Sequence, residues 1–150
     1  MKIRRLFVTV LFLAIQLFAQ TPALKANRSP SELSLSDARI LVYLTRAAKQ
    51  VRKTGLDVFM EQSTSEKLNQ NDYYVFQMLS TRECEACSLN VGYFAVNKHT
   101  ADVRDFDADD YHLLTSPEMA GVQHILRDAH NITADVIKQY RNRPVWAETQ

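Results

Sequence analysis

Glycine is scarce in this 150-residue chain, confined to Gly55, Gly92 and Gly121. Phosphate-cradling loops and dinucleotide turns need clustered glycines so that backbone N–H groups can approach the ligand, and neither can be built here. A G-x-S-x-G nucleophile elbow is absent for the same reason. Cysteine is rarer still, with Cys84 and Cys87 the only two. No second C-x-x-C, no H-E-x-x-H and no histidine pair at i, i+4 accompanies them, so no complete zinc set can be read from the spacing. His99, His112, His124 and His130 are dispersed, and the six-residue step from His124 to His130 does not put both on one helical face. His99 falls in an expected turn, which predicts an exposed ring.

Long apolar runs are also missing, apart from the ten residues Leu6–Ile15. A membrane span needs about 20. With Lys2, Arg4 and Arg5 before it and the small Ala19 after it, this run reads as a secretory signal peptide over residues 1–19. The expected location is therefore exported, periplasmic or secreted, after cleavage near Ala19. Nor does one sign of charge dominate. The chain carries 18 basic and 17 acidic residues, and three of the basic ones belong to the signal segment. A mildly acidic mature chain argues against nucleic acid and against an anionic membrane beyond the signal itself. The one basic cluster, Arg46, Lys49, Arg52 and Lys53, has helical spacing and reads as a solvated helix face. Residues 20–33 are polar, with Pro22 and Pro30, and read as a flexible leader. Residues 34–150 are then enough for a single domain. The sequence sets no oligomeric state.

What is present is a clear order of elements. From Ser36 to Gly55, Ile40, Leu44, Ala47, Ala48 and Val51 recur at helical spacing, with Ser36 as N-cap and Gly55 as stop. The segment "LDVFMEQ" fits either a short strand or a helix, and "NDYYVFQMLS" and "LNVGYFAVN" are better strands, rich in aromatic and β-branched residues. A further strand is expected around Ala101 to Phe106. Ser116 and Pro117 open a helix with the stripe Met119, Val122, Ile125, Leu126 and Ala129, and Thr133 caps a last short one. The expected fold is α+β: an N-terminal helix packed on a curved antiparallel sheet of three to four strands, followed by two C-terminal helices.

Within "VGYFAVNKHTADVRDF", Tyr93, Val96, Thr100 and Val103 follow a hairpin pattern of aromatic and valine positions around a threonine turn. Over roughly residues 36–106 the chain resembles PepSY-type and cystatin-like small exported domains, although Ala101 stands where glycine is usual. The resemblance implies a binding or inhibitory module with no shared catalytic residues.

Three pieces of candidate chemistry remain. Asp105, Asp107 and Asp109 alternate like the start of a calcium loop, but Asp110 occupies the glycine position and Ser116 the place of the bidentate glutamate. A solvated loop is the expectation. Tyr73, Tyr93 and Phe94 are the candidate binding residues of an exposed aromatic patch. Cys84 and Cys87 lie between two expected strands with no helix after them, and Glu83 and Glu85 disfavour a thiolate. A four-residue turn brings its ends within about 7 Å, which a disulfide can span. The reading is a structural disulfide in an exported, non-catalytic module without cofactor, which binds a protein, peptide or envelope component, as an inhibitor or partner-binding protein. The alternative is a thiol–disulfide redox protein acting through Cys84 and Cys87.

Overall fold

A short polar segment precedes the first described helix. Ser34 accepts a hydrogen bond from the Asp37 N–H (3.1 Å), and the Asp37 carboxylate accepts one from the Ser34 N–H (3.3 Å). This capping box opens helix α1, Leu35–Tyr43, two residues ahead of the expected Ser36 cap. The computed structural model of the protein describes residues 30–64, 70–81, 90–105 and 111–145.

The single helix expected over 36–53 is two helices. Thr45 takes an extended backbone (φ −64°, ψ 155°), and its buried hydroxyl accepts from the Ala48 N–H (3.3 Å), starting α2, Arg46–Lys53. A threonine that can cap the next turn competes with continuing the helix, and here it wins. The break resets the rotation. Ala38, Leu41 and Val42 are buried in α1, whereas Ile40, expected in the core, is 48% exposed. Gly55 follows α2 with φ +80°, the left-handed conformation that ends helices at little cost to glycine.

Five strands then form one antiparallel meander in chain order: β1 Val58–Ser63, β2 Tyr73–Ser80, β3 Asn90–Asn97, β4 Val103–Asp105 and β5 Leu113–Leu114. Helices α3, Pro117–Ala129, and α4, Ala134–Arg141, complete the fold. The expected order of one helix, three to four strands and two helices is thus corrected, among the described residues, to two helices, five strands and two helices. The strand shortfall came from β5, whose two residues are too few to show an alternating pattern.

Alternation along β2 and β3 sorts the two sheet faces. Phe76, Met78, Phe94 and Val96, with Val103 of β4, lie under Leu33, Leu41, Val42, Ala48 and Met119 in the main core. Burying a large apolar side chain contributes roughly 1.5–3 kcal/mol, so this layer holds the domain together. On the reverse face Tyr73, Val75 and Ala95 form a smaller cluster with Tyr111 and Val145. A bulge sets Met78 opposite Gly92 but Leu79 opposite Asn90, and Gly92 sits at φ +152°. The extra residue, Val91, packs against the main core.

The stripe of α3 is also rotated from expectation. Met119 and Gln123 are buried, while Ile125 is 66% exposed and Ala129 lies outside. The Gln123 amide donates to the Ala101 carbonyl (2.8 Å), and this polar anchor fixes the helix face. Leu33, assigned by sequence to the leader, is buried, and its N–H donates to the Lys98 carbonyl (2.8 Å). Among the described residues no helix is long and apolar enough to cross a membrane.

Candidate functional site

The aromatic residues singled out by sequence do not form one exposed patch. Phe94 is 2% exposed on the helix side of the sheet, because neighbours in a strand face opposite ways. Tyr73 is buried on the reverse face, and Tyr93, half-buried, shares that face through the pairs Val75–Ala95 and Gln77–Tyr93. Cys84 and Cys87, between β2 and β3 in the chain, and Asp107 and Asp109 of the acidic stretch, between β4 and β5, lie outside the described residues.

The β3–β4 turn holds Asp102, one of the two buried carboxylates among the described residues. Asn97 turns the chain by accepting from the His99 N–H (2.9 Å) and the Thr100 N–H (3.0 Å) through its side chain. Ala101 completes the turn at φ +60°, in the left-handed region. Asp102, 4% exposed, then meets two arginines from the C-terminal helices. Arg141 reaches both of its oxygens (Nε 2.7 Å, Nη2 2.8 Å), and Arg127 adds a third bond (3.0 Å). Burial pulls the Arg127 guanidinium below its usual value, and the Asp102 hydrogen bond raises that of Arg141. Both stay charged at neutral pH.

His99 is not the exposed turn residue that the sequence suggested. Its ring stacks on Tyr140 of α4 at 3.8 Å, with Arg143 over the other side of Tyr140. Its Nε2 faces Asp72 (3.4 Å) and Glu32 (3.7 Å). Burial pushes the imidazole below its ordinary value, outweighing the two carboxylates. His99, Tyr140 and Glu32 help to wall a cleft of about 320 Å³ between residues 30–32 and α4.

A Ser–His–Asp contact chain borders the same cleft. His130, at the end of α3, joins the Ser31 hydroxyl through Nδ1 (3.0 Å) and the Asp37 carboxylate through Nε2 (2.9 Å). The parts of a nucleophile relay are in reach of one another. Their other bonds show what they do for the fold. The Ser31 N–H donates to the His130 carbonyl (3.0 Å) and is not free to serve an oxyanion. Asp37 belongs to the α1 capping box, where the bonds from Ser34 and His130 outweigh burial and hold its carboxyl below the usual range. The chain of contacts ties the incoming segment to α1 and α3.

A different arrangement stands at the junction of α2 with β5 and α3. A groove of about 540 Å³ has Leu44, Leu114 and Met119 as its floor and Arg46, Lys49 and Lys53 as its rim. Residues 46, 49 and 53 lie on one face of a helix, and Arg52 does not. Arg52 instead donates to the Tyr43 carbonyl (2.8 Å). Three of the four cations read from the sequence as a solvated face therefore converge on a concave surface. Lys49 pairs with Glu118 of α3. Among the described residues, Arg46 and Lys53 have no carboxylate partner. Helical spacing alone would have put the three cations on one face. The concavity comes from β5, which the sequence did not reveal.

Comparison of the chain with family models, with curated proteins and with solved structures yields no match. Its chemistry has to be argued from the arrangement of its own residues.

Proposed function

We propose that this protein is an exported, non-catalytic binding module, an inhibitor or partner-binding protein of the cell envelope, that holds its partner in the α2–β5–α3 groove. The observation that carries the reading is the groove's composition: an apolar floor beneath a rim of one charge sign. Such a surface gains from covering its floor and from matching its rim, which is what recognition requires. The reactive groups elsewhere favour binding over catalysis, because His99, His130, Asp37 and Asp102 each hold fold elements together. Export rests on the segment Lys2 to Ala19, and the likeness to PepSY-type and cystatin-like domains supports a binding role. Cys84 and Cys87 enter this reading as a disulfide that fixes the β2–β3 connection, worth roughly 2 kcal/mol for so short a loop.

The test is capture of envelope proteins by the mature domain, followed by rebinding of the purified partner to wild type and to Arg46→Glu/Lys53→Glu. Direct rebinding that the double variant loses supports the reading. Turnover of a substrate by the pure domain would overturn it. Two free thiols in the native exported protein would remove the staple and favour thiol–disulfide exchange.

A further inference from the structure

We infer that the partner segment seated in the groove is an acidic peptide in extended conformation, lying beside β5 with carboxylates on the Arg46–Lys49–Lys53 rim. This rests on the binding reading above and names the chemistry of the partner. Three observations lead to it.

The first is charge. The rim carries three cations, and the only carboxylate paired with them among the described residues is that of Glu118. Glu118 is mostly exposed and Lys49 about one-third exposed, so their solvent-screened pair contributes little to the fold. Glu118 therefore marks where a carboxylate sits on this rim, and an incoming one can replace it at small cost. The second is shape. From Arg46 to Lys53 the helix rises about 10 Å, which is the length of about three residues of extended chain. Two carboxylates on alternate residues of a strand are about 7 Å apart and reach two rim cations together. Residues between them point the other way and can cover Leu44, Leu114 and Met119 if apolar. The third is position. Among the described residues β5 is the last strand of the sheet, and Leu114 and Thr115 line the groove. A sheet edge takes an added strand through main-chain bonds, and charge then selects which one.

The experiment titrates fluorescein-labelled peptides of six alternating residues against the mature domain. The Glu/Leu peptide should bind, and the Gln/Leu and Lys/Leu peptides should bind at least about tenfold more weakly. Affinity should fall as salt is raised from low to physiological ionic strength. Arg46→Glu/Lys53→Glu should abolish binding, while Lys138→Glu on α4 leaves it unchanged; circular dichroism checks that each variant folds. The sharpest arm is Glu118→Gln. Removing the internal competitor should tighten the Glu/Leu peptide by about three-fold or more. Weaker binding of that peptide to Glu118→Gln, or equal binding of the Gln/Leu peptide, overturns the inference. Binding to phosphatidylglycerol vesicles in place of the Glu/Leu peptide overturns it too, in favour of a lipid surface. If the Glu/Leu peptide fails while the purified partner still needs Arg46 and Lys53, this inference falls and the binding reading stands. If the partner binds the double variant equally well, the groove reading itself falls.

Discussion

Charge is used in opposite ways at the two ends of this molecule. At the β3–β4 turn, Asp102 is buried against Arg127 and Arg141, and Asp72 against His99 and Arg143. The three arginine contacts join the turn or the sheet to a C-terminal helix or the segment that follows it, and the His99 contact joins the turn to the residue before β2. At the α2 groove, Arg46 and Lys53 stand at the rim of an open concavity with no carboxylate of the described chain upon them. Desolvating a charge is expensive, so a buried one must be matched within the fold. A solvated charge at a rim costs nothing to leave unmatched, and it remains available to a partner. The turn's charges hold the fold together, and two of the groove's rim cations are left without a carboxylate of the described residues.

The largest test of that contrast is Asp102→Ala. It leaves Arg127 part-buried without its counter-charge, although Arg141 can turn outward to water. The expected cost is about 3 kcal/mol, the low end for breaking a buried pair, read from urea midpoints. A loss below about 1 kcal/mol would put the turn's charges in the same class as those of the rim.

The next effect is in pH. His99 is pushed below 6.5 chiefly by burial, so folding favours its neutral form. Its contribution is then fully present above the unfolded value, near 6.5, and is lost as pH falls through the folded one. Melting temperature should drop between pH 7 and pH 5 in wild type, and drop less in His99→Gln. Asp37, held low, acts in the same direction but only on approach to pH 4 and below, so the two are separable. Identical pH profiles for wild type and His99→Gln would contradict the burial of the ring.

Smaller still is Ala101→Gly. Glycine relieves the left-handed backbone by about 1–2 kcal/mol, but it loses a buried methyl worth about 0.8 and frees the unfolded chain by about 0.4–1. Stability should stay within about 1 kcal/mol of wild type. The smallest expected change is that of Arg46→Ala/Lys53→Ala, within about 0.5 kcal/mol by thermal melts. Loss of more than about 1 kcal/mol would mean that the rim cations hold the fold after all.

The sequence made some of this legible and hid the rest. The strands β2 and β3, the Ser116–Pro117 start of α3 and the Thr133 cap of α4 were readable because each has a local cause. The rotation of α1 was not. Ile40 and Leu41 are equally apolar neighbours, and only the break at Thr45 decides that Leu41 goes inward. The site was less legible than the fold. Tyr73, Tyr93 and Phe94 stand out in the sequence as aromatics, but aromatic strand residues are most often core, as Phe94 is. The helical spacing of Arg46, Lys49 and Lys53 was visible, and what it faced was not.

By itself, then, the sequence determined composition-level exclusions, element starts and the α+β character. These depend on backbone conformation, capping and period, which act over a few residues. Only the tertiary structure decided that Asp102 would meet Arg141, 39 residues away, or that Leu114 would floor a groove rimmed by Arg46. Such meetings depend on how the five-strand meander stacks under its helices, and no local pattern encodes the distance between residues that far apart in the chain.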